Sequence, residues 1–422
     1  MQKFERILVS VLLVILLLTL SFSNARLVDL QDHVHILAVD QAFDFASWTF
    51  NATWVKLTLS VIAAPRYFRP QDQHALVREY LQVVSDAEKT ANEISRIYSD
   101  PSIQDPAAAS ISQRAQLEKL TGRMNTLTPF AEATLEMQVT EVLKDLGLTS
   151  GGQPIPWVLY HTTPLPQNLV ISSRAKIEQL TSYVLKPDLT VGEAVALENT
   201  MDQRLKVSSL VVDIGGMATY PTMIMRTGDL NYLSSTIAHE WTHLYLGQRP
   251  LGWYYASDHP ELRTMNETTA SIAGDEIGRL VMQRDYPELL AQEPAPLQPV
   301  SHLTGSVQPG QPSAPFDFRA EMHTTRVRTD ELLAAGKIDE AEAYMEQRRE
   351  LFWDNGYPIR KLNQAYFAFH GAYAASPGGA AGEDPVGPAV RALRAQSHSL
   401  AEFLSRISQL TSFAELQAIV GH

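Results

Sequence analysis

A chain of 422 residues, 45% hydrophobic and 19% charged, is long enough for two or three cored domains and too apolar to stay disordered. Its net charge of −13, with no Lys/Arg run, argues against a nucleic-acid partner held through phosphates. The absence of cysteine excludes disulfides, thiolate metal sites and a cysteine nucleophile.

The chain opens with Lys3 and Arg6, followed by nineteen uncharged residues from Ile7 to Ala25 centred on V-L-L-V-I-L-L-L. A basic start before an apolar run is an export signal. As a helix the run would reach about 28 Å, enough to cross a bilayer core and remain as an anchor. Ser23-Asn24-Ala25 also resembles a small-residue cleavage site, so residues 1–25 read as a membrane anchor or a cleaved signal peptide. Positive charge before the run places the remainder outside the cytoplasm, either secreted or tethered to the membrane by this helix.

From Leu27 to about Tyr67 the sequence is mixed and aromatic, and the apolar stretch Trp54 to Ala64 carries Lys56, so it reads as a buried helix and not a second span. Between Gln71 and Leu148 apolar residues such as Leu76, Val77, Tyr80, Leu81 and Val84 recur at helical spacing, and a second helical run extends from about Ala107 to Leu146. Residues 26–150 thus read as a helical N-terminal region, a structural or membrane-proximal spacer. After Gly151-Gly152 the pattern changes. Trp157 to His161, Leu169 to Ser172 and Ile177 to Leu185 read as strands, Val191 to Leu205 as a helix, and Val207 to Asp213 and Met217 to Met225 as further strands. The glycines of Gly215-Gly216-Met217-Ala218-Thr219-Tyr220 would let a backbone approach an extended peptide closely, which makes this segment a candidate substrate-binding edge.

Gly228-Asp229 then supplies a turn and an N-cap for a helix with Leu230, Leu233, Ile237, Trp241 and Leu244 at helical spacing, ending near Gly247 to Pro250. Within it His239-Glu240-Trp241-Thr242-His243 is the H-E-x-x-H pattern. Positions four apart lie roughly 40° apart around a helix, so His239 and His243 project from one face and can grip one ion. Zinc held by two imidazoles needs a third protein ligand and an open position, where it lowers the pKa of water to about 7. Glu240, beside them, would take the proton.

The third ligand is expected downstream, past a loop L-G-W-Y-Y-A-S-D-H-P-E-L-R-T. Asn266 can cap a new helix with Glu267 in its first turn, and Ser271 and Gly274 on the same face would let that helix pack tightly against the first. Glu276, nine residues on, points to the opposite side, so helical geometry selects Glu267 over Glu276, with Glu261 and His259 in the loop as alternatives.

H-E-W-T-H followed by the N-E-x-x-A-S helix resembles the gluzincin clan of zinc metallopeptidases, which includes thermolysin-like enzymes and zinc aminopeptidases; the similarity covers about Val207 to Gly278. The resemblance implies a zincin-like core of a small sheet lobe and a helical lobe, zinc ligands His239, His243 and Glu267, and Glu240 as general base. Arg249 stands where a metzincin carries its third histidine. The gap of twenty-three residues between His243 and Glu267 exceeds the usual one, Ser271 replaces the aspartate that orients an imidazole in thermolysin-like enzymes, and G-G-M-A-T-Y lacks the glutamate of the aminopeptidases' G-x-M-E-N. Exopeptidase action is therefore not expected.

Residues 279–422 read as a helical C-terminal lobe interrupted by a Pro/Gly-rich loop at 293–315. Hydrolysis needs a donor opposite the zinc to stabilise the oxyanion. Tyr366, His370 and Tyr373, spaced four and three apart on one helix face, are the candidates. The whole reads as an α+β, predominantly helical, zinc-dependent extracytoplasmic peptidase acting on a peptide or protein substrate. The alternative is a membrane-tethered zinc-site protein without proteolysis that serves as a binding or scaffold module.

Overall fold

The computed structural model describes residues 29–62, 69–99, 103–187, 189–255, 260–290, 316–370 and 385–421. The N-terminal apolar run, His259, Tyr373 and the Pro/Gly-rich stretch 293–315 lie outside these residues. Within them the chain is predominantly helical with two small sheets, an α+β arrangement.

Helices α1 (Leu30–Ala38), α2 (Phe45–Ile62), α3 (Pro70–Ser99) and α4 (Ile111–Asp145) come first. The long pair α3 and α4 is the helical run expected between 71 and 148, and buries Val77, Tyr80 and Val84 with Leu127, Leu135 and Val139. Helix α2 turns Ala52 and Lys56 inward but leaves Trp54 61% exposed, so the stretch expected to be buried has one open side.

Lys56 makes sense of α2. Its Nζ lies 2.7 Å from Glu132 and 2.7 Å from Glu136, both on α4 and about one helical turn apart. The same carboxylates close a strand edge. Glu132 accepts from the Thr162 N–H at 2.7 Å and the Thr162 hydroxyl at 2.8 Å, and Glu136 accepts from the Tyr160 N–H at 2.9 Å. Buried backbone donors require acceptors, and α4 provides them where no further strand does among the described residues. Burial pushes the Glu132 carboxyl up, but Lys56 and His161 outweigh it and hold it down at about 2, whereas burial leaves Glu136 raised.

The strands are β1 (Tyr160–Thr162), β2 (Gln167–Ser173), β3 (Gln179–Leu185), β4 (Val207–Asp213), β5 (Gly216–Met217) and β6 (Thr222–Ile224), with α5 (Val191–Leu205) between β3 and β4. Helix α5 and strand β4 fall on the predicted residues, α5 begun by a capping box of Thr190 and Glu193. One sheet has the order β3-β2-β4, antiparallel throughout, with Leu169 opposite Tyr183 and Val211. The other is β1-β6-β5, where Tyr160 pairs with Thr222 in parallel and Met217 with Met223 antiparallel.

Two predicted strands change. The single strand expected over 217–225 is two, because Pro221 has no N–H to give a ladder and separates β5 from β6. The strand expected from Trp157 begins only at Tyr160; just upstream, the Pro156 carbonyl accepts from the Trp241 indole at 2.8 Å.

Helices α6 (Leu230–Gly247) and α7 (Pro260–Asp285) follow and lie face to face. The C-terminal part comprises α8 (Phe318–Ala334), α9 (Ile338–Asp354), α10 (Gln364–His370), α11 (Val386–Gln396), α12 (Leu400–Ile407) and α13 (Phe413–Val420). The largest core draws on α3, α4, α6, α7 and α11 to α13, so helices from both ends of the chain share one interior with the H-E-x-x-H helix. A second core joins α1 and α5 to the β3-β2-β4 sheet, and a third fills the space between α8, α9 and α10.

Candidate metal centre

Helix α6 starts as predicted, with the Asp229 carboxylate accepting from the Tyr232 N–H at 3.0 Å. Leu233, Ile237 and Trp241 anchor its apolar side in the largest core, which turns the face bearing His239 and His243 outward from that core. The two Nε2 atoms meet at 3.0 Å.

The helix that supplies the third donor begins earlier than expected. Pro260 opens α7 at its first position, where its missing N–H is no loss, and Glu261 to Thr264 continue the helix. Asn266 is therefore not a cap, and Glu267 lies almost two turns inside. From there Asn266, 2% exposed, places its Oδ1 2.7 Å from His243 Nδ1. Glu267 Oε2 lies 3.5 Å from His243 Nε2 and 3.7 Å from His239 Nε2.

Glycines bring the two helices together. A Cβ at Gly274 would fall 2.8 Å from the Ser235 carbonyl oxygen and 3.0 Å from His239 Cβ, and one at Gly278 would fall 2.8 Å from Ser235 Cα. Ser271, expected in this contact, is exposed instead. Glu276 points away, as helical geometry implied, and receives the Arg394 guanidinium at 2.7 and 2.8 Å.

His239, His243 and Glu267 can each offer one donor atom, all within 4.8 Å of one another, and this group could hold a metal ion. Four ligands about 2.0–2.1 Å from a tetrahedral ion stand roughly 3.3 Å apart, close to the 3.0, 3.5 and 3.7 Å separations here. The tautomer fits a ligand role, because His243 Nδ1–H donates to Asn266 and leaves Nε2 with its lone pair facing the site. The Tyr255 hydroxyl donates to the other Glu267 oxygen.

The metal-free electrostatics follow from crowding. Burial and the neighbouring His243 push His239 down to about 4. Burial also opposes charge on His243, but the hydrogen bond and charge of Glu267 outweigh it and raise its pKa. Burial would raise Glu267, yet His243 and the Tyr255 hydroxyl hold it down at about 2. Glu240 is 7% exposed. Burial lifts its carboxyl to about 7, partly offset by His243 and reinforced by Glu267. Gly216 of β5 lies directly against it, so close that a Cβ there would collide with the Glu240 carboxylate. A larger residue there would push the Glu240 carboxylate from its present place.

The Tyr366 and His370 rings lie 4.3 Å apart between centres, tilted by 47°, on a helix that packs against β2 and β4. Neither belongs to the donor group of His239, His243 and Glu267. Glu261 lies in the first turn of α7, also outside that group. Tyr255 and the orienting role of Asn266 escaped sequence reasoning. The signals were present: Asn266 directly precedes the ligand, and Tyr255 closes the aromatic W-Y-Y of the intervening loop. Comparison of the chain with family models, curated proteins and solved structures gives no match.

Proposed function

We propose that the chain is a zinc-dependent peptidase of gluzincin type that acts outside the cytoplasm on peptide or protein substrates. The observation that carries this reading is the convergence of His239 and His243 from α6 with Glu267 from α7, beside the buried acid Glu240. Two imidazoles and a carboxylate suit zinc, which would supply a Lewis acid and, at a fourth position, water of lowered pKa.

The chain's own groups do the rest. Glu240, buried beside the two imidazoles on α6, is placed to take a proton from the attacking water and return it to the leaving amine. Asn266 fixes the His243 ring and Tyr255 fixes the Glu267 carboxylate, which keeps the donor set from rearranging. Strand β5, the outer strand of its sheet among the described residues, offers backbone groups beside Glu240 to an extended peptide. With the single Tyr255 O–H committed to Glu267, the oxyanion donor would come from Tyr366, His370 or Tyr373. The apolar run Ile7 to Ala25 would export the chain and, if retained, tether it. No described helix is long and apolar enough to cross a membrane.

The test is hydrolysis of a broad set of internally quenched peptides by the full chain. Turnover should vanish with a chelator, return with zinc and be abolished by Glu240→Gln. Cleavage that persists in the chelated protein or in Glu240→Gln would refute the reading.

A further inference from the structure

Helix α2 (Phe45–Ile62) carries a single charge along its length, Lys56, and that charge is turned into the body. Glu132 and Glu136 hold it there, each at 2.7 Å, and the Trp48 indole N–H donates to the Thr163 hydroxyl at 3.4 Å. Just ahead of the helix the Phe43 N–H donates to the Val184 carbonyl of β3 at 3.1 Å. The helix is therefore seated in one orientation. At about 100° per residue, positions 50 and 54 lie about 40° apart and roughly 120–160° round from position 56. The result is an outer face on which Phe50 is 68% and Trp54 61% exposed, their rings stacked at 6.4 Å between centres and 13° between planes. Single exposed apolar residues are ordinary, but two large aromatics side by side, on a helix whose one cation is engaged inside, mark a contact surface.

Three observations select what covers it. The first is the course of the chain. The apolar run ends at Ala25 and α1 is capped by Asp29, so the four residues between them cover at most about 14 Å. Six residues then join α1 to α2. The second is charge. Residues 27–55 hold no Lys or Arg, and Asp29, Asp32, Asp40 and Asp44 are acidic, which disfavours anionic headgroups and leaves apolar contact as the attraction. The third is area. Two aromatic side chains bury roughly 300–500 Å², short of the roughly 800 Å² that each side of a stable protein interface contributes. A bilayer to which the same chain is tethered needs no such area, because the tether supplies the effective concentration. No described helix is long and apolar enough to cross a membrane, so α2 would lie on the bilayer and not through it.

We propose that the outer face of α2 is a membrane-docking surface, with Phe50 and Trp54 set in the interfacial layer of a zwitterionic bilayer so that the body is held against the membrane in a fixed orientation. The proposal rests on the tether that the Ile7 to Ala25 run provides, and on neither zinc nor turnover.

The test uses the full chain in phosphatidylcholine vesicles. The chain has no cysteine, so one introduced cysteine carries a nitroxide at a unique place. Three variants are labelled separately: Phe50→Cys on the outer face, Trp353→Cys as a control at an exposed site on α9, and Leu16→Cys in the run. Collision of the label with oxygen, which concentrates in lipid, is compared with collision with a water-soluble nickel chelate. The label at 50 should lie about 5–10 Å inside the headgroup boundary, the label at 353 should be open to nickel, and adding Trp54→Ser should open the label at 50 to nickel as well. A label at 50 as open to nickel as that at 353, or a depth unchanged by Trp54→Ser, would overturn the docking surface. Shielding from both oxygen and nickel would mean that protein covers the face, with dipolar broadening identifying a second copy, and would overturn it too. A label at 16 in the bilayer core with the label at 50 in water removes the docking and leaves the tether, whereas both labels in water remove the two together. Turnover is read separately: a chain that docks without cleaving peptides upholds the surface, and one that cleaves without docking upholds the chemistry alone.

Discussion

Gly274→Ala should pry apart the two helices that carry the metal donors. The new Cβ would sit 2.8 Å from the Ser235 carbonyl oxygen and 3.0 Å from His239 Cβ, about half an ångström or more inside ordinary contact. The first of those atoms is backbone and cannot rotate away, so α7 must shift, carrying Glu267 with it. Alanine gains about 1 kcal/mol of helix propensity over glycine, and the forced separation costs about 1–3 kcal/mol, for a net loss of up to about 2 kcal/mol. Gly122→Ala is the control, since Gly122 is also helical but a Cβ there meets nothing within 4 Å. It should gain the propensity alone, about 1 kcal/mol. Displacing the carboxylate should also weaken zinc binding by about 10- to 100-fold. Urea unfolding of the metal-free protein and competitive zinc titration measure the two effects. If Gly274→Ala is as stabilising as Gly122→Ala and binds zinc equally well, the close approach of the helices does not position the donors.

Three further outcomes follow from the same geometry. Asn266→Ala should lower zinc affinity by about 10- to 100-fold while Ser271→Ala leaves it unchanged, because only Asn266 holds an imidazole; equal effects in a zinc titration would reverse that assignment. Glu240 titrates at about 7 in the folded chain against an ordinary 4.5, so the metal-free fold holds a proton there that the unfolded chain releases. Above pH 7 the bare carboxylate is buried at a cost on the order of 3 kcal/mol, which protonation relieves as pH falls. Glu240→Gln should therefore stabilise the metal-free protein at pH 8 and lose that advantage by pH 5; a pH-independent difference in unfolding midpoint contradicts the shift. Lys56→Met leaves Glu132 and Glu136 buried without their cation and should cost about 3–5 kcal/mol in urea unfolding, part of it recovered by adding Glu136→Gln. A loss below about 1 kcal/mol would mean the network is solvated.

What could be read from the chain alone was what local spacing encodes. The four-residue interval of His239 and His243, the Asp229 cap and the Val191 to Leu205 helix all depend on neighbours within a few residues, and each stands where it was expected. Boundaries governed by distant partners did not. The strand expected from Trp157 begins only at Tyr160, where its pairing with Thr222, more than sixty residues away, sets in. Asn266 looked like a cap because Asn often is one, whereas Pro260 had already started the helix. Lys56 read as a charge that spoils a membrane span, and its use became visible only with Glu132 and Glu136 beside it. The placement of Glu267 was legible from helical geometry; the glycines that deliver it, Gly274 and Gly278, needed the partner helix to show which residues face it.

Metal stoichiometry of the full chain, measured on the wild type, His243→Ala and Glu267→Ala after refilling with zinc, tests the central claim most directly. One tightly bound zinc per wild-type chain, lost from both variants, is the predicted result. A wild-type protein that holds no zinc would contradict it and leave the three donors as a partly exposed polar cluster without chemistry.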